Sequence, residues 1–153
     1  GKLIEGIFEG ETINTPSMLA VEDYLVALKW AQGVGGLRGL IGRAEANAKA
    51  VSDFVAANDW IANLASDPAT ESTTSVCLKF RDPRIDDGVA FAKAIAKRLE
   101  KAGVAFDVGA YRDAPPGLRI WCGSTVEVAD VQALMPWIAH AFHAEIAAIA
   151  QAA

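Results

Sequence analysis

Two arginines in this chain stand where their surroundings matter. Arg119 lies in Leu118-Arg119-Ile120-Trp121-Cys122. Strand alternation puts Leu118, Ile120 and Cys122 on one face and Arg119 and Trp121 on the other. A guanidinium among Trp and aliphatic neighbours needs an anionic partner, because an unpaired buried charge is strongly unfavourable. Its planar fork matches a carboxylate in a two-pronged contact. That partner is either the chain's own Asp107 or Asp113, or a bound anion. Arg112 sits seven residues earlier beside Tyr111, in the Pro- and Gly-rich loop Gly109 to Gly117. Loops carry binding residues more often than their share. A second arginine converging on Arg119 suits a ligand with two anionic ends; the alternative is a solvated loop arginine.

A third feature is Gly10-Glu11-Thr12-Ile13-Asn14-Thr15-Pro16-Ser17. Thr15-Pro16 predicts a helix start, with Thr at the N-cap and Pro at the first helical position. A helix start gathers unpaired N–H groups and the positive end of the macrodipole, which suits a phosphate. Asn14 and Thr15 add side-chain donors there. The alternative is an ordinary capped helix.

Other reactive groups lack company. His140 and His143 share a face of the last helix with no third ligand near them, which reads as a surface pair and not a metal site. Ser17, Ser72 and Ser75 have no His–acid arrangement to activate them. Cys77 and Cys122 lie in separate apolar runs and read as buried free thiols of a reducing compartment. Read from residues alone, this is an anion-binding α+β domain with no visible catalytic group.

The elements that must position these groups belong to a chain of 153 residues, long enough for one domain with a real core. It is 52% hydrophobic and 22% charged, which fits a globular protein and excludes disorder. The net charge of -5 and the absence of a basic run interleaved with aromatics argue against a nucleic-acid partner. No uninterrupted apolar run reaches membrane-spanning length and no signal peptide is visible, so no membrane is expected and the address reads as cytoplasmic. The chain opens at Gly1-Lys2-Leu3 without an initiator Met. This is expected of a trimmed tag or of a piece of a longer protein.

Residues 2–8 read as an extended arm. Helices are expected from Pro16 to about Gln32, with Val21, Tyr24, Leu25, Leu28 and Ala31 inward, and from Leu37 to about Ala57, with Arg43, Glu45 and Lys49 in water. Gly33, Gly35 and Gly36 separate them. Strands are expected over 60–64, 74–80, 104–108 and 118–122. A third helix is expected from a cap at Asp86 or Asp87 to about Ala102, with the stripe Val89, Ala92, Ile95, Ala96 and Leu99. The last helix starts near Ser124–Glu127, a Ser-x-x-Glu capping box, and Pro136 predicts a kink or restart within it. The order α-α-β-β-α-β-β-α implies an α+β fold: a small, mainly antiparallel sheet packed against helices and preceded by a helical pair.

Asn14-Thr15-Pro16-Ser17, the helix pair broken at Gly35-Gly36, and Tyr111-Arg112…Gly117-Leu118-Arg119 together resemble phosphoserine aminotransferase, a fold-type-I pyridoxal-phosphate family. The likeness is to its C-terminal portion and covers essentially residues 1–153, a small domain with the preceding interface arm and helix. It implies that Asn14 and Thr15 reach the cofactor phosphate of the neighbouring subunit in a homodimer. It implies that Arg119 holds the substrate α-carboxylate, and that Arg112 contacts the phosphate of phosphoserine. The family's His-Arg pair is Tyr111-Arg112 here, and the spacing to Arg119 is one residue longer. The implied reaction is amino transfer between O-phosphoserine and 2-oxoglutarate, giving 3-phosphohydroxypyruvate and glutamate in serine biosynthesis. The cofactor-anchoring lysine of the family lies upstream of the region matched by Gly1, so the chain is expected to be an inactive fragment whose larger cofactor-binding domain is absent. The alternatives are another small-substrate aminotransferase of the same fold, or a standalone anion-binding α+β module.

Overall fold

Two adjacent glycines make the break between the first helices. Gly35 (φ +103°) and Gly36 (φ +64°) both take left-handed backbone, which a residue with a Cβ enters only at a cost. The computed structural model describes residues 3–152. It divides into two compact units, Gly1–Leu40 and Ile41–Ala153.

In the first unit a 3-10 turn at Glu5–Glu9 closes on Gly10, and Glu11 N–H donates to Gly6 O at 2.9 Å. This turn replaces the expected extended arm from Glu5 onwards; Gly1 and Lys2 lie outside the described residues. Helix α1 spans Met18–Gly33. Its N-cap is Ser17 and not Thr15: the Ser17 hydroxyl accepts from Ala20 N–H at 3.4 Å, so Pro16 stays in the extended lead-in. None of the α1 residues is buried. Val21, Tyr24, Leu25 and Leu28 of the expected inward stripe are exposed. The physical reason is visible in the sequence. Met18, Leu19, Val26 and Trp30 are apolar too, so the helix has apolar residues around its circumference and no single inward face.

Helix α2 spans Gly36–Ala56 and crosses into the second unit, where Ala44, Asn47 and Val51 are buried. Strands β1 (Ile61–Asn63), β2 (Ser75–Phe80) and β3 (Leu118–Trp121) form an antiparallel sheet in the order β1-β2-β3. Helix α3 (Gly88–Lys101) follows β2, capped by Asp87, whose carboxylate accepts from Ala90 N–H at 2.9 Å. Helix α4 (Val128–Ala152) ends the described chain.

The expected strand over 104–108 does not form. Asp107 has φ +53°, the one positive φ at a non-glycine among the described residues, and this turns the chain out of the extended run. What remains is one bridge, Gly109 to Leu118, and a hydrogen bond from Arg119 N–H to Val108 O at 2.8 Å. The observed order of helices and strands is therefore α-α-β-β-α-β-α.

One face of the sheet supplies Val76, Leu78, Leu118 and Ile120 to the core; α3 adds Ile95 and Leu99, and α4 adds Ile138, Phe142 and Ile146. Phe91 also points inward, whereas Val89, expected there, is 51% exposed. The Trp60 and Phe142 rings stack with centroids 3.9 Å apart. Helix α4 runs through Pro136 without restarting. Pro136 is exposed, and its missing N–H costs one ladder bond on the solvent side. Val128–Gln151 is long and apolar enough to cross a membrane by length and composition, at mean hydropathy 1.2, although Asp130, His140, His143 and Glu145 interrupt its apolar run. Its inner face, with Ile138, Phe142 and Ile146, is part of the core described above.

Candidate anion site on the third strand

Alternation on β3 places its side chains as the sequence predicts. Leu118, Ile120 and the following Cys122 are buried, Trp121 is 58% exposed, and the Arg119 side chain is 18% exposed. Gly117 makes the strand's entry possible: a Cβ there would collide with the Leu78 carbonyl. On the open face of the sheet Arg119 stands directly opposite Cys77.

The Arg119 guanidinium is held from two sides. Nη2 donates to Asp107 Oδ2 at 2.8 Å and Nη1 donates to Tyr111 Oη at 2.9 Å. The guanidinium carbon also lies 4.2 Å from the Tyr111 ring centroid, a cation–π distance. Nε is buried without a hydrogen-bond partner. Of the two internal partners open from the sequence, Asp107 is the one engaged. Its carboxylate reaches in from solvent, 90% exposed. Arg119, Asp107 and Trp121 line a cavity of about 420 Å³ bordered by α4 residues, including Asp130. Such a site can bind and orient a small acid. Ser75 also lines it, with no histidine among the lining residues to activate the hydroxyl.

Arg112 is exposed on the loop and does not share that cavity. It lines a separate one of about 380 Å³ with Tyr111, Lys93 and Pro116. In place of the expected convergence of two arginines, Arg119 pairs with Tyr111, a contact that no spacing in the sequence signals. Asn14 and Thr15 are exposed, in the lead-in to α1 within the first unit.

A polar clamp anchors the turn after β3. The buried side-chain amide of Asn47 donates to Cys122 O, Gly123 O and Val126 O at 3.0 to 3.2 Å. Arg43, expected in water, is half-buried: its Nε donates to Ser124 O at 2.7 Å and its Nη2 pairs with Glu127. Glu127 is thereby drawn away from the expected capping box, and α4 begins after it. Asn47 went unnoticed in the sequence, although it lies one turn from Ala44 and Val51 on the inward face of α2.

Burial pushes the Cys122 thiol up to about 11. Both cysteines are free. His143 meets the Trp60 and Phe142 rings edge-on, and His140 meets Trp137. Among the described residues no three His, Cys, Asp or Glu side chains gather closely enough to hold a metal ion. Next to the sheet, Arg84 grips Asp82 through Nε at 2.8 Å and Nη2 at 2.6 Å, which holds the Asp82 carboxyl down at about 2.

A small antiparallel sheet backed by two helices and preceded by a helical pair is the fold of the C-terminal domain of a fold-type-I aminotransferase. It superposes on a phosphoserine aminotransferase from Bacillus circulans subsp. alkalophilus with a TM-score of 0.76, at 19% identity, over 92% of this chain and 37% of that one. More particularly, the sequence is similar to the C-terminal portion of phosphoserine aminotransferase. It is 53% identical to the enzyme of that name from Methanosarcina barkeri over 143 residues, and 51% identical to that of Methanosarcina mazei over 142. These matches cover 94% and 93% of the chain but only 37% of each relative. No protein-family model matches. The matches do not favour a standalone binding module.

Proposed function

We propose that this chain is the C-terminal part of a pyridoxal-phosphate-dependent phosphoserine aminotransferase, exchanging an amino group between O-phosphoserine and 2-oxoglutarate in serine biosynthesis. The observation that carries the reading is Arg119: a mostly buried guanidinium, presented on the open face of β3 into a cavity, within a sequence half identical to enzymes of that name. In this reading Arg119 orients the α-carboxylate of each substrate by a two-pronged contact, which fixes the reacting carbon without taking part in bond making. Arg112 lines a separate cavity with Tyr111, whose hydroxyl contacts Arg119, and in this reading it supplies positive charge to the substrate phosphate.

Asn14 and Thr15 fit one part of a cofactor site. Both side chains are exposed and both carry neutral donors, the chemistry that a phosphate of the partner subunit's cofactor accepts. In this reading the protein is a cytoplasmic homodimer. Bound pyridoxal phosphate supplies the electron sink for amino transfer. The chain's own lysines do not stand in the family's anchoring context, so by itself the chain binds and orients and does not turn over.

The test is made on the full-length parent. It is expected to bind pyridoxal phosphate and to use phosphoserine far better than alanine as amino donor. Equal rates with the two donors would remove the substrate assignment, and no cofactor binding would remove the aminotransferase reading. Asn14→Ala is expected to weaken cofactor retention more than folding; unchanged cofactor affinity would sink the role given to Asn14.

A further inference from the structure

We infer that Asp107 is an internal competitor for the carboxylate site of Arg119, an inference that rests on the reading of Arg119 given above. Asp107 does for the guanidinium what a substrate carboxylate does: Oδ2 accepts a hydrogen bond from Nη2 at 2.8 Å and offsets the charge. Tyr111 Oη accepts from Nη1 at 2.9 Å and the Asp107 backbone carbonyl accepts from Nη2 at 3.4 Å, so both terminal nitrogens of the fork are engaged by the protein. An incoming carboxylate makes its two-pronged contact only when Asp107 withdraws.

The surroundings of Asp107 make withdrawal easy. Its side chain is 90% exposed while that of Arg119 is 18% exposed, so the aspartate closes the solvent side of a guanidinium whose other sides are packed. Turning away into water leaves no buried charge on the aspartate side. The residue sits at φ +53° between exposed Phe106 and anchored Val108, outside any strand ladder, so its movement breaks no sheet pairing. Tyr111 differs in kind. Its ring lies against the guanidinium at 4.2 Å and holds the fork in place whichever carboxylate is bound. Of the acids lining the cavity, Asp107 is ion-paired with Arg119 and Asp130 is not among its partners.

An ion pair whose carboxylate is solvent-exposed corresponds to about a two- to fivefold competition against an added ligand. The experiment is a titration of the 153-residue chain with glutarate, following the Arg119 Nε–H resonance by NMR. Asp107→Asn keeps a side chain that tolerates left-handed backbone and removes the charge. Its midpoint is expected about two- to fivefold below that of the unsubstituted chain. Asp107→Gly, which takes the same backbone freely, is expected to move the midpoint in the same direction. Equal or higher midpoints in both variants, with Arg119 still responding, would overturn the competition alone. A response that persists unchanged elsewhere in Arg119→Met, or no response of Arg119 in any protein, would overturn the carboxylate site itself and the inference with it.

Discussion

The buried amide of Asn47 donates to the carbonyl of Cys122 at 3.2 Å, tying α2 to the end of the strand that carries Arg119. Two further carbonyls, of Gly123 and Val126, share the same donor group. Removing it takes a donor from all three carbonyls, of which Gly123 O still accepts from Val126 N–H at 3.0 Å. Asn47→Ala is expected to lower stability by about 1–3 kcal/mol, read as a drop in the denaturation midpoint at constant slope. Asn47→Asp turns a donor into an acceptor facing three carbonyls and is expected to cost more than Asn47→Ala. A variant as stable as the parent chain would show the clamp to be idle.

Arg119→Lys in the full-length enzyme keeps the charge and loses the planar fork. Loss of one charged hydrogen bond of about 1.5–3 kcal/mol predicts a fall in kcat/KM of roughly 10- to 100-fold. If Arg119 holds the carboxylate of both substrates, as proposed above, the loss is expected for phosphoserine and 2-oxoglutarate alike. Steady-state kinetics with each substrate varied in turn measures this. A loss confined to one substrate would contradict a shared site.

Asp82 gives the fold an acid dependence. Its carboxyl titrates at about 2 because Arg84 holds the charged form. The folded value lies below the unfolded one of about 3.9. The pair therefore stabilises the fold above that unfolded value and its contribution disappears as pH falls towards about 2. Stability measured across this window is expected to fall less steeply in Asp82→Asn than in the unsubstituted chain.

Cys122 behaves in the opposite sense at high pH. Its thiol is pushed up to about 11 by burial, above an unfolded value of about 8.5. The protonated form is favoured in the fold, so this contribution is complete at neutral pH and is lost as pH rises through about 11. At pH 8, a thiol reagent is expected to label half-buried Cys77 first and Cys122 only upon unfolding. Mass mapping of the labelled peptides decides the order.

Period-two alternation over residues 118–122 was enough to place Arg119 on the open face of the sheet, because one buried face allows only one register. A cap at Asp86 or Asp87, which the fold assigns to Asp87, and the glycine break at Gly35-Gly36 were equally legible, since each depends on local backbone chemistry. What escaped depended on residues far apart in the chain. The segment 104–108 has strand composition, yet one left-handed residue, Asp107, undoes it in favour of a contact twelve positions away. Arg43 and Asn47 look like ordinary helix polar residues until the turn after β3, some 75 to 84 positions on, supplies their partners. Helix α1 misled for a different reason: its apolar residues matched a helical period without sparing any other side of the helix.

That last feature bears on the chain's kinetics of opening. A sixteen-residue helix is near the length at which isolated helices are marginal in water, and burial within this chain adds little to α1. Its amide protons are therefore held mainly by local hydrogen bonds. Hydrogen exchange of the isolated chain is expected to resolve two populations: amides around Ile95, Leu99 and Ile138 exchange only with global unfolding, while those of Tyr24 to Leu28 exchange orders of magnitude sooner. Occlusion of the α1 surface by the rest of a longer protein would slow the second population towards the first.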